Sequence, residues 1–420
     1  MTRGPDTTLA VHLDGALLRS DPLFESFWAA AARDWRAALV AMGRAPRAGR
    51  SAAFDRIGPV DVATLPYDAD LIERLRAHKT AGGRIVLLAG PDAALARRIA
   101  GHLDLFDEVR DDRFADLQAE ILAGSNAPPA LRDYLRALRP HQWLKNLLVF
   151  LPMLTAHAFG WEAFLASFLA FVAFSMVASS VYLLNDLLDL AADRAHPRKR
   201  ARPFAAGDIP IGRGTVLAGG LLLGGFVIAA LIAPLFLLVM ALYYAITLAY
   251  SMDLKRRTVI DICVLAGLYT IRIVAGGAAT GIPLSVWLLA FSIFLFFALA
   301  AVKRQAELVD NLRRGELAVS GRGYIVDDIP VVQAMAIGSG YVSVLVMALF
   351  VNAPSTVANY STPEALWGIC CVLLYWITRT VFLAHRGYMD DDPVVYAAKD
   401  NISRLCLVLI LGFAGLGMVL

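Results

Sequence analysis

The larger, C-terminal part of the chain alternates between long uncharged apolar runs and short polar breaks. From Leu144 onward the runs are about 20 residues long, which is the length a helix needs to cross roughly 30 Å of hydrocarbon. The first run is short and contains Pro152, which weakens it as a continuous helix. The predicted spans are about nine in number: 144–159, 161–187, 214–232, 235–251, 259–279, 284–302, 329–352, 364–384 and 402–420.

The N-terminal part has a different pattern, typical of a small α/β domain. Two short strand-like runs, 9–13 and 84–90, lie among the helix-like runs 23–42 and 94–103. GSNAPP, residues 124–129, combines residues typical of a linker. We therefore predict an α/β domain at 1–124, a linker at 125–138 and an all-α polytopic membrane domain at 139–420.

Composition agrees with a membrane protein. The 420 residues are 58% hydrophobic and 18% charged, and the mean hydropathy is +0.60. A net charge of +3 gives no support for nucleic-acid binding. The four cysteines lie in apolar segments without metal-site or disulfide spacing. The N-terminus has no secretory signal, so we expect the α/β domain to remain in the cytosol.

Lysine and arginine are distributed asymmetrically between alternate breaks. The breaks near Gly160, Ala233 and Gly281 and at 353–363 contain none. The other breaks are basic: 188–213, 252–258, 303–328 and 385–401. The positive-inside rule then predicts that the basic loops and the α/β domain share the cytoplasmic side of a bacterial inner membrane.

The strongest chemical motif is NDLLDLAAD, residues 185–193, at the cytoplasmic end of the second long run. On one helix, at about 100° per residue, Asp186, Asp189 and Asp193 fall within an arc of about 60°. With Asn185 they form an oxygen-rich face that suits Mg²⁺ carrying a diphosphate. A solvated acidic helix end is the plainer alternative. Arg198, Lys199 and Arg202 follow, and these could bind phosphate or serve only as a topogenic basic loop.

Three further stretches carry charges near the same membrane edge. In 250–277, Asp261 and Arg272 are eleven positions apart and would face one interior, where an arginine is a functional candidate and a structural ion pair is the alternative. Lys303 and Arg304 lie at the start of the next cytoplasmic loop, and residues 387–404 form part of another. The acids at 390–392 could also be a solvated loop.

These motifs resemble a known family. NDLLDLAAD is similar to the first aspartate-rich motif of the UbiA superfamily of intramembrane prenyltransferases, which have nine transmembrane helices around a central cavity. The stretches 138–152, 182–210, 250–277 and 391–403 resemble the decaprenyl-phosphate phosphoribosyltransferase branch. The resemblance implies Mg²⁺ as cofactor, phosphoribosyl pyrophosphate as donor and a polyprenyl phosphate lipid as acceptor.

The resemblance also implies roles for individual residues. Asp186 and Asp189 would be catalytic through the metal, with Asn185 and Asp193 as further ligands. The candidate substrate-binding residues are Gln142, Lys145, Asn146, Arg198, Lys199, Arg202, Tyr250, Lys255, Asp261, Arg272, Lys303, Arg304, Asp391, Asp392 and Asp400.

One departure from the prenyltransferase pattern concerns the donor. Those enzymes share a second motif, DxxxD, but here Asp261 is followed four residues later by Leu265. Lys145, Lys255, Arg272, Lys303 and Arg304 supply cations in its neighbourhood. Phosphoribosyl pyrophosphate has a second phosphate at C5, and more anions need more fixed cations.

The N-terminal domain resembles haloacid-dehalogenase-type phosphatases but has lost their chemistry. In LAVHLDGALLRSD, His12 replaces the nucleophilic aspartate and Ala16 replaces the threonine, while Asp14 is kept. Gly90 stands where a second motif has Ser or Thr. Without a carboxylate nucleophile the aspartyl-phosphate route is closed, so we expect a degenerate, inactive domain.

Two alternatives remain open at this point. One is a prenyltransferase that joins a polyprenyl diphosphate to an aromatic acceptor. The other is an ion or solute transporter, because intramembrane Asp and Arg also mark ion pathways. The sequence leaves the oligomeric state open, and a homo-oligomer is compatible with it.

Overall fold

The computed structural model describes residues 8–46, 49–110, 119–122, 128–197, 199–317, 322–389 and 392–419. It confirms the predicted combination of a helical membrane protein with a small N-terminal α/β region. The chain divides into two compact units. The first contains 1–139 and 179–222, and the second contains 140–178 and 223–420.

The first unit contains a four-stranded parallel sheet. Its strands are β1 (Thr8–His12), β2 (Arg84–Leu88), β3 (Glu108–Arg110) and β4 (Ala119–Leu122), in the order β3-β2-β1-β4. β1 is central and pairs with β2 from Thr8 opposite Arg84. The apolar residues of both strands are buried, as expected for a parallel sheet covered on both faces.

Four helices accompany the sheet: α1 (Pro22–Arg44), α2 (Arg50–Ile57), α3 (Ala69–Thr80) and α4 (Ala93–Leu103). Leu75 of α3 and Ile99 of α4 pack with Leu87 of β2 in one core. α1 contributes to a separate core, in which Phe27 and Trp28 pack with Leu187 and Phe204. The predicted strands and helices of this region are confirmed.

The segment predicted as a linker is partly helical. Residues 131–138 form α5 (Leu131–Leu138), and Arg139 ends it in a left-handed conformation with φ of 54°. The compact unit extends through Arg139 and takes in 179–222. The contacts of α1 with that second stretch therefore belong to the same compact unit as the sheet.

The first predicted span, 144–159, has a different structure. Residues 140–150 form a 3-10 helix (Pro140–Phe150), and a short α6 (Leu151–Thr155) follows. Pro152 lies in the first turn of α6, where its missing N–H costs nothing, but it cannot continue an earlier α-helix. Gly276 lets this segment approach, because a Cβ there would lie 2.0 Å from the Val149 carbonyl oxygen.

Among the described residues, eight helices are long and apolar enough to cross a membrane. They correspond to the remaining predicted spans. The helices after α6 are α7 (Trp161–Leu188), α8 (Leu190–Ala195), α9 (Ile211–Ile232), α10 (Pro234–Met252), α11 (Ile260–Thr280), α12 (Val286–Arg314), α13 (Ile329–Val351), α14 (Pro354–Asn359), α15 (Trp367–His385), α16 (Pro393–Lys399) and α17 (Asn401–Val419). Short 3-10 turns lie at Val62–Thr64, Lys199–Ala201, Leu254–Arg256, Val326–Asp328 and Pro363–Leu366.

In the described part of the second unit, α11 and α12 carry the most deeply buried charged groups, Asp261 and Arg304. Asp261, Arg304 and Gln305 are completely inaccessible. Helices such as α17 instead expose many leucines, which suits contact with lipid. The second unit thus has an interior built around charged side chains of α11 and α12.

Candidate functional site

The acidic motif is not a single helical face, and this prediction needs correction. α7 ends at Leu188, and Asp189 adopts a non-helical conformation before α8 begins at Leu190. Asp186 and Asp193 are buried, whereas Asp189 is exposed. The break leaves Asp189 exposed while the other two are buried, so the local sequence pattern overestimated how far the helix continues.

Two arginines bind the buried carboxylates. Arg139 donates from Nη2 to both oxygens of Asp186, at 2.6 and 2.9 Å. Arg202 donates from Nη1 to Asp186 Oδ1 at 3.0 Å and to Asp193 Oδ2 at 2.6 Å. Lys199 Nζ lies 4.0 Å from Asp193 Oδ1. Nη1 of Arg202 therefore bridges the two buried carboxylates, Asp186 and Asp193.

The residues present fit a divalent cation. Asp193 Oδ1 is buried and accepts no hydrogen bond, so one carboxylate oxygen has unused capacity. Asp186 and Asp193 already share one positive group, Arg202, and Mg²⁺ prefers carboxylate oxygens together with water and phosphate. Within the described ranges no group of three or more His, Cys, Asp or Glu is assembled for a metal. Asp186 and Asp193 would hold the ion, and exposed Asp189 and neighbouring Asn185 supply further oxygens on the same segment.

A second cluster lies in the second unit and joins residues from four parts of the chain. Lys145 Nζ donates to Asp392 Oδ2 at 2.7 Å, and Lys303 Nζ donates to the same oxygen at 3.1 Å. Tyr269 donates its hydroxyl to Asp392 at 3.0 Å. Burial alone would raise the pKa of Asp392, but Lys303 and Lys145 hold it below its usual range. Two ammonium groups therefore share one buried carboxylate.

Arg272 lies three residues after Tyr269 of this cluster and contacts Asn146 of the 3-10 helix. Its Nε donates to Asn146 Oδ1 at 2.9 Å, and Asn146 in turn donates to Ser175 at 3.1 Å. Nη2 donates to the Tyr243 hydroxyl at 3.2 Å, and the guanidinium carbon lies 5.0 Å from the centroid of that ring. Within the described contacts no carboxylate pairs with Arg272, so its charge is held by amide, carbonyl and aromatic groups.

A third cluster surrounds Asp261. Arg304 Nε lies 2.8 Å from Asp261 Oδ2, and Arg322 Nη1 lies 3.1 Å from Oδ1. Tyr250 donates its hydroxyl to Asp261 Oδ1 at 2.8 Å, and Glu307 pairs with Arg304 and with Arg322. The charges of this cluster balance. Arg304 is completely buried in it, so the cluster has the character of a structural ion-pair network.

The structure distributes the predicted substrate residues over these clusters. Lys145, Lys303 and Asp392 come together, as do Asn146 and Arg272, and Tyr250, Asp261 and Arg304 form the third group. Gln142 lies partly buried in the 3-10 helix, and Lys255 lies partly buried in the turn after α10. Arg198 and Asp391 lie outside the described residues.

Asp400 has a different position from the one expected of a substrate ligand. It accepts hydrogen bonds from Arg379 at 2.7 and 3.1 Å and from the backbone N–H of Ser403 at 2.8 Å. It thus lies at the start of α17 with its carboxylate already paired. These contacts indicate a structural role at this helix end.

Sequence reasoning missed several of these partners. Arg139, Tyr269 and Arg322 were absent from the predicted site, although each binds an acidic residue that was in it. Arg139 lies within the stretch 138–152 that carries part of the family resemblance, so its neighbourhood was singled out. Its positive φ, which a non-glycine residue adopts at some cost, is a signal that only coordinates can give.

Comparison with known proteins agrees with this architecture. The profile of the UbiA prenyltransferase family matches residues 146–402. An uncharacterized protein, y4nM, of Sinorhizobium fredii is 30% identical over 94% of this chain and 88% of its own length. The decaprenyl-phosphate phosphoribosyltransferase of Mycolicibacterium smegmatis is 34% identical over 67% of this chain and 91% of its own.

A solved structure shows the same fold. It is a UbiA homolog from Archaeoglobus fulgidus bound to GPP and Mg²⁺, and it superimposes with a TM-score of 0.50. The superposition covers 67% of this chain and 99% of that one, at 17% identity. At this level of identity the likeness concerns the fold alone.

Proposed function

The chain belongs to the UbiA prenyltransferase family and is therefore a multi-pass membrane transferase, and from this premise we propose that it transfers 5-phosphoribose from phosphoribosyl pyrophosphate to a polyprenyl phosphate. Membership of an enzyme family removes the transporter alternative. The proposal concerns the donor, the acceptor, the metal and the residues that hold them.

The observation that carries the proposal is the pair of lysines on Asp392. One buried carboxylate neutralises only one of the two ammonium groups, so Lys145 and Lys303 leave a net positive charge. The Lys303 side chain is 28% exposed, so its ammonium group is accessible to an anionic ligand that would compensate the surplus charge. A phosphate group is such a ligand. A prenyl diphosphate with an aromatic acceptor offers no phosphate beyond its diphosphate, whereas the ribose donor and the lipid acceptor each bring one.

The acidic segment, residues 185–205, supplies the second part of the proposed site, which would bind the metal and the pyrophosphate. Asp186 and Asp193 would hold Mg²⁺, with Asn185 and Asp189 contributing oxygens. Mg²⁺ bound there supplies positive charge that stabilises the pyrophosphate as it leaves C1. Arg139 and Arg202, which bind these carboxylates, can donate to phosphate oxygens in the same bidentate manner.

The proposed reaction needs no general base. An oxygen of the lipid phosphate, already anionic near neutral pH, attacks C1 of the ribose. The bond between C1 and the pyrophosphate oxygen breaks, and the pyrophosphate leaves with that electron pair. The product is polyprenyl-phosphoryl 5-phosphoribose. No histidine was placed in the predicted site, which agrees with a step that moves no proton.

The similarity to the mycobacterial enzyme supports this donor and acceptor. That relative is named a decaprenyl-phosphate phosphoribosyltransferase, and the match extends over most of its length. We assign the same class of reaction to this chain. The basic loops support, by the positive-inside rule, a cytoplasmic position of the acidic segment and the N-terminal domain at a bacterial inner membrane, where a soluble, highly charged donor would be accessible.

The proposal is tested with purified protein in lipid nanodiscs. Labelled phosphoribosyl pyrophosphate and a polyprenyl phosphate are supplied with Mg²⁺ or with a chelator, and the lipid fraction is analysed for the labelled product. We expect labelled lipid and released pyrophosphate only in the presence of Mg²⁺. Asp186→Asn is the negative control, because it removes a carboxylate that would hold the metal.

A parallel reaction tests the main alternative. It contains a polyprenyl diphosphate and an aromatic acid in place of the ribose donor and the lipid phosphate. Turnover of this pair, without labelled lipid in the first reaction, would replace the proposed function with that of an aromatic prenyltransferase.

A further inference from the structure

Helix α1 of the N-terminal region contacts the acidic segment and the start of α9 at three regularly spaced points. Asp21, which caps α1, accepts a hydrogen bond from the backbone N–H of Gly212 at 2.7 Å. Glu25 accepts from Arg194 at 2.6 and 3.0 Å. Trp28 donates from Nε1 to the Thr215 hydroxyl at 2.9 Å. Spacings of four and three residues place these side chains on one face of α1.

The central contact is deeply buried. The side chains of Glu25 and Arg194 are 2% and 6% exposed. Ser20 donates to Glu25 Oε1 at 2.6 Å, so the carboxylate is held from its own side as well. A buried, bidentate arginine–carboxylate pair fixes both position and orientation. α1 therefore holds Arg194 in one defined place.

Arg194 links this contact to the carboxylates of the candidate site. It directly follows Asp193, and its Nε donates to the Ala205 carbonyl at 3.3 Å. Asp193 pairs with Arg202 across the same segment. The Glu25–Arg194 pair thus fixes the segment at two places. One is Arg194 itself, next to Asp193, and the other is Ala205, three residues after Arg202.

Apolar packing adds to this arrangement. Phe27 and Trp28 of α1 lie in one buried cluster with Leu187, Leu190 and Phe204. A further pair, Ile209 and Ile211, belongs to the same cluster at the start of α9. The acidic segment therefore has its core partners in the N-terminal region and is part of the same compact unit.

We infer that α1 is a positioning element of the transferase site: Glu25, acting through Arg194, holds Asp193 and Arg202 where they bind the divalent cation and the diphosphate. This inference rests on the proposed function for its ligand. It gives the catalytically degenerate N-terminal domain a role, because the domain then provides the support that the broken α7–α8 segment lacks.

The test uses full-length protein and Mn²⁺ as a spectroscopic probe for the divalent cation. Glu25→Gln, Arg194→Gln and the double variant are titrated with Mn²⁺ by electron paramagnetic resonance. The matched control is Glu108→Gln, which breaks an exposed pair with Arg84 elsewhere in the same domain. We expect each single variant to bind Mn²⁺ roughly tenfold more weakly and the control to bind like wild type.

The double variant distinguishes a positioning role from a general loss of stability. If Glu25 acts through Arg194, the double variant binds Mn²⁺ no more weakly than the weaker single variant, because contacting residues are not additive. Donor KM should rise in parallel, with the lipid KM unchanged. Unchanged Mn²⁺ affinity in folded Glu25→Gln, or additive losses in the double variant, would overturn the inference.

If the glutamine variants fail to fold, Thr215→Val takes their place, since it removes the bond from Trp28 and, besides that, only the bond that the hydroxyl donates to the Ile211 carbonyl within α9. A measurable loss of Mn²⁺ affinity supports the inference, and wild-type affinity contradicts it. The outcomes also separate the two proposals. Wild type that binds Mn²⁺ but rejects the ribose donor disproves the proposed function alone, whereas wild type that binds no Mn²⁺ disproves the positioning role.

Discussion

Lys145 and Asp392, which are 247 residues apart in sequence, form a buried ion pair with 2.7 Å between Nζ and Oδ2. Lys303 shares the same carboxylate oxygen at 3.1 Å. The carboxylate is therefore the common partner of two cations. Removing the carboxylate and removing one lysine should therefore affect the stability of the protein differently.

We expect Asp392→Asn to destabilise the protein more than Lys303→Met. Losing the carboxylate leaves buried Lys145 and partly exposed Lys303 without this partner, and breaking the buried Lys145–Asp392 pair costs about 3–5 kcal/mol. Losing Lys303 leaves the Lys145–Asp392 pair intact. Thermal unfolding in nanodiscs gives the comparison, with Glu108→Gln as the exposed control, where we expect a much smaller effect because water screens an exposed ion pair. An equal or smaller effect of Asp392→Asn would contradict the assignment.

The same carboxylate predicts a pH dependence of stability. Its pKa is depressed in the folded protein, so its contribution is fully present above the unfolded carboxyl pKa of about 3.9 and is lost as pH falls through the lower folded value. Burial lowers the pKa of its partner Lys145 to about 8, so the difference in unfolding midpoint between wild type and Asp392→Asn should stay constant between about pH 5 and 7 and, on the acid side, shrink only below that window. A difference that already shrinks near pH 6 would show that the carboxylate is not held in its charged form.

Asp186→Asn and Asp189→Asn should each lower turnover by roughly 100-fold or more, because each removes an oxygen charge proposed to hold the metal. Their effects on stability should differ. Asp186 is buried and bound by Arg139 and Arg202, so its change should cost about 1–3 kcal/mol, whereas exposed Asp189 should cost almost nothing. Product assays and unfolding curves on the same preparations measure both. Wild-type turnover in both variants would remove the metal assignment.

Lys303→Ala should weaken donor binding by roughly 10- to 150-fold, since one charge-assisted phosphate contact is worth about 1.5–3 kcal/mol. The measurement compares ribose donors with and without the C5 phosphate. Wild type should prefer the phosphorylated donor, and Lys303→Ala should lose most of that preference. Arg304→Ala is the contrasting variant, because Arg304 is completely buried beside Asp261 and its loss should reduce stability first. Equal use of both donors by wild type would exclude a C5-phosphate site.

His12→Ala should leave transferase activity unchanged. His12 stands where haloacid-dehalogenase-type phosphatases, which the N-terminal domain resembles, have their nucleophilic aspartate, and it has no role in the proposed transferase reaction. The full-length protein should also hydrolyse no phosphate monoester above the level of a protein-free control. Metal-dependent hydrolysis that disappears in His12→Ala would show that the N-terminal domain has kept a chemistry of its own.

The sequence determined the membrane character, seven of the eight helices to within a few residues, and the two central strands of the α/β region. These follow from local patterns: apolar runs of membrane length and short buried strands between turns. The exception is α12, which was predicted to end at 302 but continues to Arg314, twelve residues further. The predicted first span failed because hydropathy does not register that 140–150 winds as a 3-10 helix before Pro152.

The tertiary structure decided which charges meet. Sequence periodicity placed Asp186, Asp189 and Asp193 on one face, but the break at Asp189 separated them, because the buried partners Arg139 and Arg202 and the contacts with α1 fix this segment. Lys303 and Arg304 are neighbours in sequence, yet one binds Asp392 and the other Asp261. Successive helix positions point about 100° apart, so their partners depend on which helices pack on each side. That packing is a long-range property, and no local pattern contains it.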